Sequence, residues 1–446
     1  MKEKELIESI QQKFGISELN KMQKEMLASS SQKRDIILLS PTGTGKTLAF
    51  TLPVLKMMKP ASGRIQCVVI APSRELVIQI AGVLREASKA FRTVALYGGH
   101  KVEDEVNSLK VIPDIVVSTP GRLLDHSVRH NLELLPVRIL VLDEFDKTLE
   151  LGFEEEMKKL LKRMKNVSRT ILTSATKADT LPEFLNLDNP LVIDNTTDIE
   201  DVRDRMNIRR VKSSATDKLE SLLVLLHNIN HGKESMEKTI VFSNHRESAE
   251  RIYEFLKKQH VSCSLYHGAL EQKDREIAIA MFNNGTTPVL VATDLAARGL
   301  DIENVNSVIH YHQPLTQESF VHRNGRTARV DREGDIYILT GPDEKLKEFF
   351  SVDDIYDLDV DKKTNLSSNF ATLYISAGKK EKISRGDILG FLVKECNVPA
   401  SEIGRIDVSD HYSLARVPQD KVKDILKNGE TKKMKGEKRK IKAFAK

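Results

Sequence analysis

An aliphatic run, Asp35-Ile-Ile-Leu-Leu39, leads into Ser40-Pro-Thr-Gly-Thr-Gly-Lys-Thr47 and then into Leu48-Ala-Phe-Thr-Leu-Pro-Val-Leu55. A strand, a glycine-bearing loop and a helix in that order constrain the fold more than any other stretch. They belong to a parallel sheet flanked by helices. Gly43 and Gly45 let the backbone curl so that its N–H groups face one point, and the helix N-terminus adds partial positive charge there. The loop reads as a phosphate cradle built from Ser40, Thr42, Gly43, Thr44, Gly45, Lys46 and Thr47, with Lys46 reaching the β- and γ-phosphates and Thr47 holding Mg²⁺. Ser40 replaces the usual first glycine and is small enough for the turn. The bland alternative, a glycine turn beside a surface lysine, does not explain the flanking strand and helix.

A chain of 446 residues has room for two or three domains. With 40% hydrophobic and 30% charged residues it can build globular cores. No apolar run is long enough to span a bilayer, and the charged, helix-like start, Met1 to Ile10, has no signal-peptide core. Cys67, Cys263 and Cys396 are far apart and form no metal-ligand spacing, so they read as buried hydrophobes in a reducing compartment, by default the cytoplasm. The net charge of +5 is uneven: Lys421–Lys446 carries eleven Lys/Arg against three Asp/Glu, or +8, leaving −3 for the remainder. Such a block is a solvated tail or the footprint of a polyanion-binding arm.

Residues 1–34 read as helical and polar. Strands at Gln66–Ala71, Thr93–Tyr97, Asp114–Ser118, Arg138–Asp143 and Arg169–Thr173 then alternate with helical patterns such as Glu75–Ala90. Residues 196–207 read as a linker. The alternation resumes at Lys238–Ser243, Ser262–Tyr266, Pro288–Thr293, Asn306–Tyr311 and Asp335–Thr340, without a second phosphate loop. A further linker is expected at 353–368. The last unit, 369–446, reads strand, helix, strand, strand, helix, basic strand or tail, which is a ferredoxin-like α+β order and the layout of an RNA-recognition fold.

Arg138-Ile-Leu-Val-Leu-Asp-Glu-Phe-Asp146 puts acids at the C-terminal end of a buried strand, where open α/β sheets bind ligands. Asp143 is the expected Mg²⁺ ligand, and Glu144 the group that orients and deprotonates an attacking water. Asp143-Glu-Phe-Asp146 resembles motif II of the DEAD-box RNA helicases of superfamily 2. The family's other motifs follow in order: Gly15 to Gln23, Ala71-Pro-Ser-Arg-Glu-Leu76, Gly98-Gly99, Thr119-Pro-Gly-Arg122, Ser174-Ala-Thr176, Val241-Phe-Ser-Asn244, Tyr266-His-Gly-Ala-Leu-Glu-Gln272, Ala292 to Asp301 and His322-Arg-Asn-Gly-Arg-Thr-Ala-Arg329.

The resemblance covers about 1–345. It implies two RecA-like parallel-sheet domains in tandem, 1–195 and 208–352, that bind ATP and Mg²⁺ and close on RNA. It implies that Gln23 reads adenine and Asp301 contacts the ribose. Ser174, Thr176 and Asp146 would couple the nucleotide to RNA, and His322 and Gln272 would act as water-positioning and interdomain groups. Arg326 and Arg329, three apart, would serve as arginine fingers on the γ-phosphate. Arg74, Gly99, Thr119, Arg122, Gly268 and Thr293 match family positions that face an RNA backbone. Three departures stand out. Phe145 replaces alanine and is expected to point away from the metal by strand alternation. Leu19 and Asn20 replace the usual proline and threonine, and Ala328 replaces a common glycine.

Residues 370–442 resemble the C-terminal RNA-binding domain of the DbpA family through Thr372 to Lys380, Gly386-Asp-Ile-Leu-Gly390 and Ile403 to Val408. That implies a large-subunit ribosomal RNA hairpin as partner, ribosomal assembly intermediates as setting and no membrane. The strand Ser413-Leu-Ala-Arg-Val417 lacks stacking aromatics, so Lys379, Lys380, Lys382 and Lys432–Lys442 are the expected contacts. The sequence thus reads as an ATP-dependent RNA helicase, with an ATP-gated RNA clamp as the alternative. A metabolic P-loop phosphotransferase would need neither the second α/β half with paired arginines nor a basic tail.

Overall fold

The computed structural model describes residues 3–41, 44–99, 102–174, 182–187, 189–196, 205–294, 302, 305–327 and 333–444. The chain divides into two compact units near residue 204, inside the stretch expected as the first linker.

In the first unit, strands β1 (Ile36–Leu39), β2 (Cys67–Ile70), β3 (Thr93–Leu96), β4 (Ile115–Ser118), β5 (Ile139–Leu142), β6 (Arg169–Ser174) and β7 (Leu191–Asp194) form one parallel sheet, ordered β3-β4-β2-β5-β6-β1-β7. Successive side chains of a strand point to opposite faces. Ile36 and Leu38 therefore enter one core with Phe50, Leu52 and Ile80, while Ile37 and Leu39 enter the other with Leu123, Phe145 and Met157. A strand buried on both faces must be aliphatic throughout, which is why Ile36–Leu39 and Ile139–Leu142 carry no polar residue. β7 escaped the sequence reading: it is an edge strand with Val192 about half exposed.

The second unit holds a parallel sheet and a smaller antiparallel one. The first contains β8 (Met206–Lys212), β9 (Thr239–Ser243), β10 (Cys263–Tyr266), β11 (Val289–Thr293), β12 (Ser307–His310), β13 (Gly334–Thr340) and β14 (Asp354–Tyr356), ordered β10-β11-β9-β12-β13-β8-β14. β8 begins inside the expected first linker; in Met206-Asn-Ile-Arg-Arg-Val-Lys only Ile208 and Val211 are buried, so its aliphatic signal is thin. The expected second linker is built into the domain. Its β14 pairs with β8, the Asp353 carboxylate accepts the Ile208 N–H at 2.7 Å, and Leu366 is buried in the domain's core.

The antiparallel sheet contains β15 (Phe370–Ile375), β16 (Ile406–Val408), β17 (Ser413–Pro418) and β18 (Ile441–Phe444), ordered β16-β17-β15-β18, with helices at Arg385–Lys394 and Val422–Thr431. This is the expected ferredoxin-like arrangement, and the basic tail ends as its fourth strand. Ala371, Leu373, Ile375, Ala415 and Val417 face those helices and form the core. The opposite face bears Phe370, Thr372, Tyr374, Leu414 and Arg416, and it is not open. It packs on the helix Gln272–Asn283 and the turn after it. Asn284 donates to Thr372 Oγ1 at 2.9 Å, Arg416 Nη1 donates to the Asn284 carbonyl at 3.0 Å, and Tyr412 donates to Glu276 at 2.5 Å.

Candidate active site and RNA-facing edge

The sheet order of the first unit splits its C-terminal edge in two. Ser40 and Asp143 follow β1 and β5 and Ser174 ends β6; beyond β2, β4 and β3 lie Arg74, Thr119 and Gly99.

At the first group the helix Lys46–Met57 starts directly from the loop, two residues earlier than its apolar pattern suggested. Gly45 caps it with φ 90°, a conformation that demands glycine, and an added Cβ would displace Gln23 Nε2, which lies 2.8 Å from its place. Buried Lys46 donates from Nζ to the Ser40 carbonyl at 2.8 Å. The Ser40 hydroxyl pairs with Thr44 Oγ1 at 2.7 Å, and its N–H donates to the Ser174 carbonyl at 3.0 Å. The serine that departs from the usual loop therefore cross-links it. Asn20, which departs from the usual threonine, closes a capping box with Gln23: the Gln23 N–H donates to Asn20 Oδ1 at 2.9 Å, and the Asn20 N–H to Gln23 Oε1 at 3.1 Å. Asn20 Nδ2 also reaches the Thr44 carbonyl at 3.1 Å, tying this helix to the loop.

β5 ends at Leu142, and Glu144 takes a left-handed conformation, φ 45° and ψ 54°. A non-glycine residue held there stores strain, a recurrent property of functional positions. Phe145 is consequently the first residue of a helix rather than a strand residue. It points away from Asp143 because the turn aims it into the core, edge-on to Phe184 at 6.5 Å. The Thr173 hydroxyl, which the sequence reading missed, accepts the Glu144 N–H at 3.2 Å and donates to Asp143 Oδ1 at 2.5 Å. Burial pushes the Asp143 carboxyl up from its ordinary range, against the pull of Lys46 and Thr173. Burial raises Asp146 as well, and both its carboxylate oxygens lack a hydrogen-bond partner among the described residues.

At the second group Arg74 lies against Gly98, whose added Cβ would be 3.3 Å from Arg74 Nη2. Thr119 caps the helix Pro120–Val128 and donates its N–H to the Leu96 carbonyl at 3.2 Å. Arg122 pairs with buried Glu105 at 2.6 Å, and His126 Nε2 bonds the same carboxylate oxygen at 2.7 Å. The other Glu105 oxygen accepts the Tyr97 N–H at 2.8 Å. This network had no sequence signal, because residues 97, 105, 122 and 126 meet only through the sheet order.

In the second unit, Gly268 follows β10, Thr293 ends β11, and Gln272 opens the helix that carries Arg275, whose Nη2 donates to Gln272 Oε1 at 2.5 Å. His322 and Arg326 are buried. Between them, Arg323, absent from the expected site, is the hub of this sheet edge. It is 2% exposed, it donates to both oxygens of Asp294 and at 2.7 Å to Asn244 Oδ1 and the His312 carbonyl, and it packs on Phe242. In the C-terminal domain Lys379, Lys380 and Lys382 are exposed on one turn, while tail residues Lys432 and Lys435 pair with Glu395 and Asp387. Thr42, Gly43, Thr176, Asp301 and Arg329 lie outside the described residues, as does Ala328.

A strained acid after β5 and a buried lysine on a glycine-capped helix, both at the C-terminal edge of a parallel sheet, define a nucleotide-binding α/β protein as a class. Residues 20–184 match the DEAD/DEAH box helicase family, 217–331 the helicase conserved C-terminal domain, and 372–443 the DbpA RNA binding domain. The chain is 34% identical over 340 residues to DEAD-box ATP-dependent RNA helicase CshA of Bacillus licheniformis, covering 75% of this chain and 68% of that one. It is 29% identical over 460 residues to ATP-dependent RNA helicase DbpA of Bacillus subtilis, covering 96% and 95%. Other relatives extend further: the chain spans 55% of the mitochondrial DEAD-box helicase 9 of Arabidopsis thaliana and 66% of RhpA of Helicobacter pylori. Saccharomyces cerevisiae Dbp5 bound to RNA and ADP BeF3 superposes with a TM-score of 0.64 at 27% identity, covering 76% of this chain and 87% of that one. The chain belongs to the DEAD-box ATP-dependent RNA helicases.

Proposed function

We propose that this chain is an RNA-dependent ATPase that uses ATP hydrolysis to separate or remodel short structured RNA, directed by its C-terminal domain to a hairpin of large-subunit ribosomal RNA in assembly intermediates. The observation that carries the reading is the pair Asp143–Glu144, buried and backbone-strained at the sheet edge that also holds Lys46. Asp143 and Thr47 offer hard oxygen donors that suit Mg²⁺, and burial holds the Asp143 carboxyl up despite the nearby Lys46. Bound Mg²⁺ would neutralise charge on the β- and γ-phosphates. Gln23 presents its amide to adenine, and Glu144 takes the proton of the attacking water. Arg326 and Arg329 offset the charge that builds on the γ-phosphate. Arg74, Gly99, Thr119, Gly268 and Thr293 follow the RNA backbone.

The ribosomal address is supported by the match of 372–443 to the DbpA RNA binding domain and by the near full-length similarity to DbpA. Three free cysteines support a reducing, cytoplasmic setting, and no described helix is long and apolar enough to cross a membrane. The test is ATP turnover of the full chain against two transcripts of equal length, large-subunit ribosomal RNA and a scrambled version. Half-maximal stimulation at a much lower concentration of the ribosomal transcript supports the address. Equal stimulation refutes it, and turnover unchanged without RNA refutes the RNA-dependent enzyme.

A further inference from the structure

In the first unit two side chains and one backbone N–H converge on a carboxylate that no motif marks. Glu105 sits on the helix Val102–Leu109 and is 3% exposed. Its Oε1 accepts the Tyr97 N–H at 2.8 Å, and its Oε2 lies 2.6 Å from Arg122 Nε and 2.7 Å from His126 Nε2. His126 is fully buried, and Asn131 Nδ2 lies 3.1 Å from its Nδ1. An amide N–H only donates, so Nδ1 accepts and Nε2 carries the hydrogen that bonds Glu105. A buried carboxylate is costly unless its oxygens are bonded and its charge is balanced, and here Arg122 supplies the balancing charge. The donors come from neighbouring places on one sheet edge. Tyr97 directly precedes Gly98-Gly99, where Gly99 has φ 101° and no side chain fixes the backbone. Arg122 stands in the first turn of the helix that Thr119 caps.

We propose that Glu105, backed by His126, is a positioning residue for RNA: it holds the Arg122 guanidinium and the Gly98-Gly99 turn in the arrangement that an RNA backbone meets. The proposal rests on the reading of this edge as RNA-facing. Charge alone predicts the opposite effect. A carboxylate beside a polyanion repels it, so an acid here weakens RNA binding unless the geometry it imposes returns more than its charge costs. The direction of the change when Glu105 is neutralised therefore separates a positioning acid from a bystander. The fork of a guanidinium donates usefully only when its plane is fixed, and the contact through Nε fixes it.

The test uses the full chain with ATP and a short unstructured RNA. It reads the RNA concentration that gives half-maximal ATP turnover, and the turnover at saturating RNA. Glu105→Gln keeps the size and removes the charge. It should raise the half-maximal RNA concentration about tenfold, the scale of one hydrogen bond to a charged group, with saturated turnover and the KM for ATP unchanged. Arg122→Ala should raise it too, and the double variant should lose well under the product of the two single losses, because both remove one arrangement. His126→Leu removes the donor to Glu105 and should follow Glu105→Gln. His126→Gln keeps an N–H near the place of Nε2 and should return toward the parent, and this pair decides the matter if Glu105→Gln does not fold. A folded Glu105→Gln protein that needs no more RNA than the parent overturns the proposal. So do losses that multiply in the double variant, or a His126→Gln protein no better than His126→Leu. If RNA does not stimulate turnover of the parent, the RNA-dependent enzyme is refuted, and anisotropy of the same labelled RNA on the same variants decides the role of Glu105.

Discussion

The hydroxyl of Thr173 donates to Asp143 Oδ1 at 2.5 Å and accepts the N–H of Glu144 at 3.2 Å, so one side chain orients both acids after β5. Thr173→Val keeps the shape and removes both bonds. A buried carboxylate stripped of a donor costs about 1–3 kcal/mol. The variant should need several-fold more Mg²⁺ for half-maximal ATP turnover, and Thr173→Ser should restore the parental value. A Mg²⁺ titration of turnover checks this; an unchanged midpoint for the valine variant contradicts it.

Asn20 caps the helix Lys21–Ser29 and reaches the phosphate loop through Thr44. Asn20→Ala should destabilise the first unit by about 1 kcal/mol, the usual value of a cap, and raise the KM for ATP because the phosphate loop loses its tie from Asn20 Nδ2 to the Thr44 carbonyl. Asn20→Asp keeps the cap and loses the donor to Thr44, so it should restore stability without restoring KM. Melting curves and steady-state kinetics of the three proteins separate the two roles.

What could be read from the sequence follows from where the constraint lies. Central strands such as Ile36–Leu39 and Ile139–Leu142 are buried on both faces and stand out as aliphatic runs, and the loop that follows is fixed by glycine and lysine spacing. The edge strands β7 and β14, and β8 beside β14, bury few side chains; β7 was missed, and β14 with the start of β8 fell inside the expected linkers. Asp143 and Glu144 were legible from a strand end and a motif. Thr173, Glu105 and Arg323 were not, because their roles depend on which strands lie side by side, and a side chain that bonds to a functional residue needs no motif of its own. The covered face of β15 and β17 was likewise hidden, since Tyr374 and Arg416 look the same in sequence whether they meet RNA or a neighbouring helix.

His310 is fully buried between Asn324 and Arg323, and burial with the adjacent guanidinium pushes its pKa down to about 3. The unfolded imidazole titrates near ~6.5, so the unfolded chain takes up a proton that the folded one refuses. Stability is therefore complete above about pH 6.5 and falls toward pH 3, by about 1.4 kcal/mol per pH unit from this residue. Hydrogen exchange of the β12 amides in the full chain should show protection declining between pH 7 and pH 5. His310→Gln should flatten that decline; an equal decline in the variant would assign it to other groups.

Tyr412 donates to Glu276 at 2.5 Å and stacks on Tyr374, with ring centroids 5.5 Å apart, while Lys273 lies over the Tyr374 ring at 4.4 Å. These contacts fasten the C-terminal sheet to the helix that begins at Gln272. Tyr412→Phe should loosen the fastening, and Lys273→Ala/Tyr374→Ala should loosen it further. Amide exchange in the helix Gln272–Asn283 should rise in that order. Equal protection in all three proteins would show that the sheet face contributes nothing to holding the helix.

The central claim is that Glu144 activates water and that the resulting hydrolysis drives RNA strand release. It is tested most directly by measuring ATP binding, ATP turnover and release of a short labelled RNA duplex for the parent chain and for Glu144→Gln. The parent should release the duplex only with ATP and Mg²⁺. The variant should bind ATP nearly as the parent does, with turnover lowered by about 10²-fold or more and repeated strand release lost with it. A Glu144→Gln protein that hydrolyses ATP and releases duplex at the parental rate would contradict the account.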